Sequence, residues 1–308
     1  ILKSIEGNIR VGKSPYFVTE ACEYTNSFLS FYPKTAIILN VEEDHLDFFK
    51  DINDIRNSFK KFAALLPDDG TLIINSDIDN YEELCKDLTC NVVTYGFKET
   101  DDFFATDIIY NENGYPSFTV ITKDGCRFEY ELNVPGIHNI SNALSAIAFA
   151  TMEGIDTSVI KEALEAFRGT NRRFDYKGSI GGVTIIDDYA HHPTEIRATL
   201  ETAKKMTKNK VWVAFQPHTY SRTAGLLREF SGAFGDADRV YLADIYAARE
   251  VDTGVVSAKK LADALPNGKY VGDLSAIVQY LEKTVTPDDL VIVMGAGDIY
   301  KIFPLMGL

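Results

Sequence analysis

Thr184-Ile185-Ile186-Asp187-Asp188-Tyr189-Ala190-His191-His192-Pro193-Thr194-Glu195 is the stretch that decides the fold. Its opening run, Thr184–Ile186, is apolar and β-branched, as a buried strand requires. A helical pattern follows from Pro193 to Met206. Proline suits a first helical position because its missing N–H would be unpaired there anyway. The stretch is therefore a strand, a polar loop and a helix. Two acids and two histidines fill the loop, a density of titratable groups that folding alone explains poorly. Open α/β sheets bind ligands at the carboxyl ends of their strands, which makes this loop a candidate site.

The same alternation extends in both directions. Downstream, Val211–Phe215, Arg239–Leu242 and Leu290–Met294 read as buried parallel strands within four further strand–helix steps, giving a doubly wound sheet. Upstream, Ile37–Val41 and Thr71–Asn75 read the same way. Asp54–Leu66 places Ile55, Phe59, Phe62, Ala63 and Leu66 on one helical stripe, and Pro67-Asp68-Asp69-Gly70 ends it in a turn. Residues 91–134 depart from the pattern. Phe103–Tyr110, Ser117–Thr122 and Arg127–Leu132 read as antiparallel strands joined at Asn113-Gly114 and Asp124-Gly125, a small layer attached to the first sheet. Helices are expected over His138–Met152 and Ser158–Phe167. Arg168-Gly169-Thr170 marks a boundary, so the domains are expected at 1–168 and 169–308.

Composition narrows the function classes. The 308 residues are 45% hydrophobic and 25% charged, the balance of a globular protein with a sizeable core. Acidic residues number 45 against 31 basic, for a net charge of -14. That argues against nucleic acid as a partner, since such binding needs clustered cations to displace counterions. Cys22, Cys85, Cys90 and Cys126 show no CxxC spacing, which disfavours a zinc site and suits a reduced, cytoplasmic setting. No apolar run is long enough to span a membrane and no signal peptide opens the chain. Ile1 stands where a start methionine would, so the text is expected to begin partway into a domain.

Six further clusters stand out. Glu42-Glu43-Asp44-His45-Leu46-Asp47, after a strand, is either an oxygen-rich Mg²⁺ site or a solvated acidic loop that caps the next helix. Glu20 and Glu23 follow a short apolar stretch and read as a second carboxylate site or a surface turn. His138, Asn139 and Asn142 fall in the first turn of a helix, where amides either suit the edge of a purine or cap the helix. Arg172 and Arg173 either clamp phosphate oxygens or pair across the domain junction. Phe215-Gln216-Pro217-His218-Thr219-Tyr220-Ser221-Arg222-Thr223 places His218, Tyr220 and Arg222 where a small carboxylate could be recognised. Gly295-Ala296-Gly297 lacks the third glycine of a dinucleotide fingerprint and reads better as a tight turn.

Taken in order, GIHNISNA (136–143), GTNRRFD (169–175), DDYAHHPTE (187–195) and FQPHTYSRT (215–223) resemble the Mur ligase family. Within it they are most similar to the branch that adds L-alanine to UDP-N-acetylmuramate. The murein-tripeptide recycling branch is the alternative, and a non-catalytic binding protein of ligase descent the third. The resemblance covers nearly the whole chain. It implies an α/β fold: a central ATPase-type domain with a parallel sheet and small antiparallel layer, then a Rossmann-like doubly wound C-terminal domain. It implies ATP and Mg²⁺ as cofactors, amide formation through an acyl phosphate, and a cytoplasmic monomer or homodimer. Glu20 and His45 would hold the metal. Asn139, with His138 and Asn142, would face the adenine, and Arg173 and Asp188 would reach the nucleotide. Tyr189, His192, His218 and Arg222 would line the L-alanine and carboxylate region, with His192 accepting the amine proton. Two departures stand out. The family's GxxGKT phosphate loop is not in these residues, so they are expected not to turn over ATP by themselves. Thr219 stands where the family often has arginine.

Overall fold

A computed structural model describes residues 2–5, 7–112 and 114–308. Asn113, half of one expected turn, lies outside them. The chain forms two compact units, one built on residues 7–111 and 115–168, the other on 169–308 together with 2–5.

The first unit is a six-stranded sheet in sequential order: β1 (Thr35–Ile38), β2 (Thr71–Asn75), β3 (Asn91–Gly96), β4 (Phe103–Tyr110), β5 (Pro116–Thr122) and β6 (Arg127–Glu131). β1 to β4 pair in parallel, and β5 and β6 continue antiparallel. The antiparallel strands thus extend the parallel sheet. Helices α1 (Ile52–Ala63), α2 (Tyr81–Cys85), α3 (Ile137–Met152) and α4 (Thr157–Ala166) complete the unit.

Both faces of β2 are covered, which is why its text is continuously apolar. Leu72 and Ile74 pack with Ile55, Phe62 and Ala63 of α1. Ile73 points the other way, into a core with Val93, Tyr95 and Ile140, Leu144 and Ile147 of α3. β1 is shorter than Ile37–Val41 because side chains take over its ladder. Asn75 donates to the Leu39 carbonyl (3.1 Å), and the Asn40 side chain accepts from Val41 N (2.9 Å). α1 likewise starts earlier than Asp54, since the Asp51 carboxylate accepts from Asn53 N and Asp54 N as its N-cap.

The second unit contains β7 (Asp175–Ile180), β8 (Val183–Asp188), α5 (Pro193–Met206), β9 (Val211–Phe215), α6 (Tyr220–Gly225), α7 (Leu227–Ser231), β10 (Arg239–Ala243), α8 (Ala258–Ala264), β11 (Gly268–Gly272), α9 (Leu274–Thr284), β12 (Leu290–Met294) and α10 (Ile302–Met306). Its sheet order is β11-β10-β9-β12-β8-β7. All pairs are parallel except the β7–β8 hairpin. That hairpin turns on Gly181 (φ 58°) and Gly182 (φ 85°), left-handed positions suited to glycine in a two-residue turn. Val213, Phe215 and Ile292 pack under Ile196, Leu200 and Ala203 of α5. Trp212, Ala214, Val291 and Val293 face α9 and the C-terminal helix instead. Two-sided cover again explains the unbroken apolar strands. Among the described residues no helix is long and apolar enough to cross a membrane.

Candidate active site

In the second unit the carboxyl ends of β8, β9, β10 and β12 lie side by side, because β12 sits between β8 and β9. The loop after β8 is held by its own acids. Asp188 is buried and accepts from Ala190 N (2.7 Å) and Phe174 N (2.8 Å). Burial nonetheless outweighs those N–H groups and pushes its carboxyl up to about 6. Glu195 accepts from His191 N (3.0 Å), His192 N (3.2 Å) and the Arg173 guanidinium (3.0 Å). Burial alone would raise its carboxyl, but His191, Arg173 and the N–H bonds hold it below the usual range. Asp187 is buried beside Arg172 (3.4 Å), and burial raises it despite that cation.

The two arginines part company. Arg172 is half-buried, reaches Asp187 and donates to the Gly295 carbonyl. Its guanidinium lies 5.0 Å from the Tyr189 ring and 5.3 Å from the Tyr300 ring. Arg173 is exposed, pairs with Glu195 and lies 5.6 Å from the Tyr189 ring. The backbone sets the division, since Arg172 (φ 60°) and Phe174 (φ 47°) are left-handed and bracket Arg173.

The two histidines also divide. His192 is the N-cap of α5, its Nδ1 accepting from Thr194 N (3.4 Å) in a capping box with Glu195. His191 instead turns its ring edge-on to Tyr189 (5.4 Å) and His218 (5.7 Å). His192 thus serves the start of α5, whereas His191 lies beside His218. His191 Nδ1 lies 3.0 Å from the Tyr189 carbonyl and 3.3 Å from Glu195 Oε2, both acceptors, so Nδ1 carries a proton. His218 Nδ1 faces Arg222 Nη1 at 3.3 Å, and a guanidinium only donates, so His218 carries its proton on Nε2. Thr219 (φ 63°) caps α6 through Oγ1.

Gly295 and Gly297 have a packing reason. A Cβ at 295 would lie 2.7 Å from the Gln216 carbonyl, and one at 297 would lie 2.4 Å from Gln216 Oε1 and 2.6 Å from Tyr246 Cγ. Gln216 spans this turn, donating to Asp298 (2.9 Å) and accepting from Ile299 N (3.0 Å). Tyr246, absent from every sequence motif above, stacks on His218 with centroids 5.6 Å apart. Only a contact distant in sequence reveals it.

In the first unit, α3 begins at Gly136 (φ 99°) with no side-chain cap. His138 and Asn142 are exposed, and Asn139 donates one N–H to the Pro135 carbonyl (2.7 Å). These amides at an uncapped helix start have the donor and acceptor chemistry of a nucleotide base site. The expected metal pair is less built. Glu20 is exposed, whereas His45 lies 3.5 Å from Glu23 and 3.8 Å from Asp44 and stacks with Tyr24 (4.5 Å). Among the described residues no three His, Cys, Asp or Glu side chains gather as a metal-ligand group.

Two mixed α/β sheets, each flanked by helices, define the class of α/β proteins to which the chain belongs. Residues 7–150 match the Mur ligase middle domain and 172–297 the Mur ligase glutamate ligase domain, and the chain belongs to the Mur ligase family. Among its relatives are UDP-N-acetylmuramate–L-alanine ligases of Lachnospira eligens (54% identical over 307 residues; 98% of this chain, 67% of the relative) and Caldanaerobacter subterraneus (50% over 305; 98% and 66%). The crystal structure of UDP-N-acetylmuramate–alanine ligase MurC from Thermotoga maritima is similar at TM-score 0.72 and 27% identity, over 92% of this chain and 61% of that one. The chain thus spans about two thirds of the length of these relatives.

Proposed function

We propose that this chain supplies the nucleotide-base and acceptor sites of an ATP-dependent ligase that joins L-alanine to UDP-N-acetylmuramate in peptidoglycan precursor synthesis. The observation that carries the reading is the imidazole pair His191 and His218, with Arg222 beside it. An amino acid presents an amine to be deprotonated and a carboxylate to be held. His191 Nε2 accepts the amine proton, and the His218 Nε2–H with Arg222 holds the carboxylate. Identity of 50–54% to relatives named for L-alanine supports that acceptor over a tripeptide.

ATP, when bound, supplies the phosphoryl group that activates the muramyl carboxylate as an acyl phosphate. Within the first unit Asn139, with His138 and Asn142, suits a nucleotide base; within the second, Arg173 and Asp188 are the candidates around β8 for a nucleotide contact. Arg173 is the cation suited to developing phosphate charge, and Glu195 keeps it turned outward. Tyr189 is fixed between Arg172 and Arg173 and forms the wall beside His191. Lacking the phosphate loop, the 308 residues alone are inactive.

Phosphate release by the product of the complete reading frame, given ATP, Mg²⁺ and UDP-N-acetylmuramate, tests the reading. Stimulation by L-alanine, with none from the 308-residue chain, is the expected result. Stimulation by a tripeptide instead assigns the recycling branch, and no release with any acceptor leaves a binding protein of ligase descent.

A further inference from the structure

Three loops converge on Tyr246, which lies just past β10 and is 37% exposed. Its N–H donates to the Pro217 carbonyl (2.9 Å), and its carbonyl accepts from Thr219 N (2.9 Å), bridging it in parallel to His218. Its ring faces the His218 imidazole at 5.6 Å with 24° between planes. Behind the ring passes Gly297, where any Cβ would lie 2.6 Å from Tyr246 Cγ and 2.7 Å from its Cβ. The His218 imidazole is thus held on its face by Tyr246, at its edge by His191 (5.7 Å, 65°) and at Nδ1 by Arg222 (3.3 Å).

An imidazole turns about χ2 in a broad potential, so its neighbours decide its plane. Arg222 meets one atom of the ring, at Nδ1, and the plane of the ring sets the direction in which Nε2 points. A parallel stacked ring closes that freedom, because aromatic faces prefer a defined offset arrangement.

We propose that Tyr246 is a positioning residue of the acceptor site, whose ring sets the plane of His218 and hence the direction of the Nε2–H that receives the acceptor carboxylate. The proposal rests on the L-alanine-adding reading. The stack needs the ring and not the hydroxyl, so phenylalanine serves and leucine does not. The carboxylate is held in ground and transition states alike, so the loss falls on KM for the amino acid.

Steady-state kinetics of Tyr246→Phe and Tyr246→Leu in the product of the complete reading frame test this, with two-bond ¹H–¹⁵N imidazole spectra of the same histidine-labelled proteins. Tyr246→Phe is expected within about twofold of wild type in every constant. Tyr246→Leu is expected to raise KM for L-alanine about tenfold, with kcat and KM for ATP within about twofold. Its His218 signals should lose the single Nε2–H tautomer that wild type and Tyr246→Phe retain. The spectra also show whether each variant is folded. A phenylalanine variant as impaired as the leucine one, an unchanged KM for L-alanine in the leucine variant, or KM for ATP rising in step overturns the proposal. If wild type shows no L-alanine dependence, the functional reading fails, and the spectra still decide whether Tyr246 sets the ring.

Discussion

Two loops, 187–195 after β8 and 42–47 after β1, each hold five carboxylate or histidine side chains, and the molecule treats them differently. After β8, Asp188 and Glu195 each take backbone N–H groups from neighbouring turns, and three rings and a guanidinium line up on that frame. Around β1, Glu20 is exposed and His45 lies beside the half-exposed carboxylates of Glu23 and Asp44. Apolar side chains nearby are also open, with Phe17 86% and Val18 83% exposed. Titratable density at a strand end therefore does not identify a built site. Asp44 takes the N–H of the adjacent His45 (2.7 Å), whereas Asp188 and Glu195 each take N–H groups from two residues, and such bonds fix the loop on which the reacting side chains stand.

The largest effect expected from this difference lies between adjacent histidines. His191→Ala should lower L-alanine-dependent phosphate release about 10²-fold, the scale of a lost proton acceptor. His192→Ala should lower it less than tenfold while destabilising the chain by about 1 kcal/mol, the cost of a lost N-cap. Kinetics and urea unfolding of both variants decide the matter. The opposite ranking would return the proton acceptor to His192 and make the cap incidental.

Asp188 gives the next effect, read as pH dependence. Its folded value of about 6 lies above the ordinary aspartate value near 3.9, so the folded state binds this proton more tightly than the unfolded one. The resulting stabilisation is complete below about pH 4 and is lost as pH rises to about 6, a change of about 3 kcal/mol. Glu195 acts with the opposite sign, since its lowered value costs stability only as pH falls below the ordinary carboxylate range. The difference between wild type and Asp188→Asn isolates the first term. Unfolding free energies from pH 4 to 7 should fall in wild type relative to the variant, and parallel curves would remove Asp188 as a raised carboxyl.

Much of the frame was legible. β2, β4, β9, β12 and α5 run where hydrophobic periodicity places them, because two-sided burial leaves a plain apolar signature. The end of β1 was not, since Asn40 and Asn75 stop its ladder through side-chain bonds. Which member of a tandem pair turns inward was equally hidden. Arg172 and Arg173, like His191 and His192, differ by one residue of backbone whose φ values only the folded chain reveals. The glycines at 295 and 297 were read as a turn, but their reason is the Gln216 and Tyr246 side chains behind them. Tyr246 carried no signal, because its neighbours come from β9 and β12 loops distant in sequence.

The smallest effect falls in the region around β1. His45 and Glu23 are partly solvated, and His45 holds the Glu23 carboxyl below its usual range. Such pairs contribute little, because water and salt screen them and ordering two side chains costs entropy. His45→Ala and Glu20→Gln should each change unfolding free energy by no more than about 0.5 kcal/mol. Millimolar Mg²⁺ should leave the unfolding midpoint of the 308-residue chain unchanged. A ligand that binds only the folded state raises stability by mass action, so a built metal site cannot hide from this measurement. A midpoint that climbs with Mg²⁺ in wild type and not in Glu20→Gln would break the comparison, for residues 18–47 would then be a site as constructed as the loop after β8.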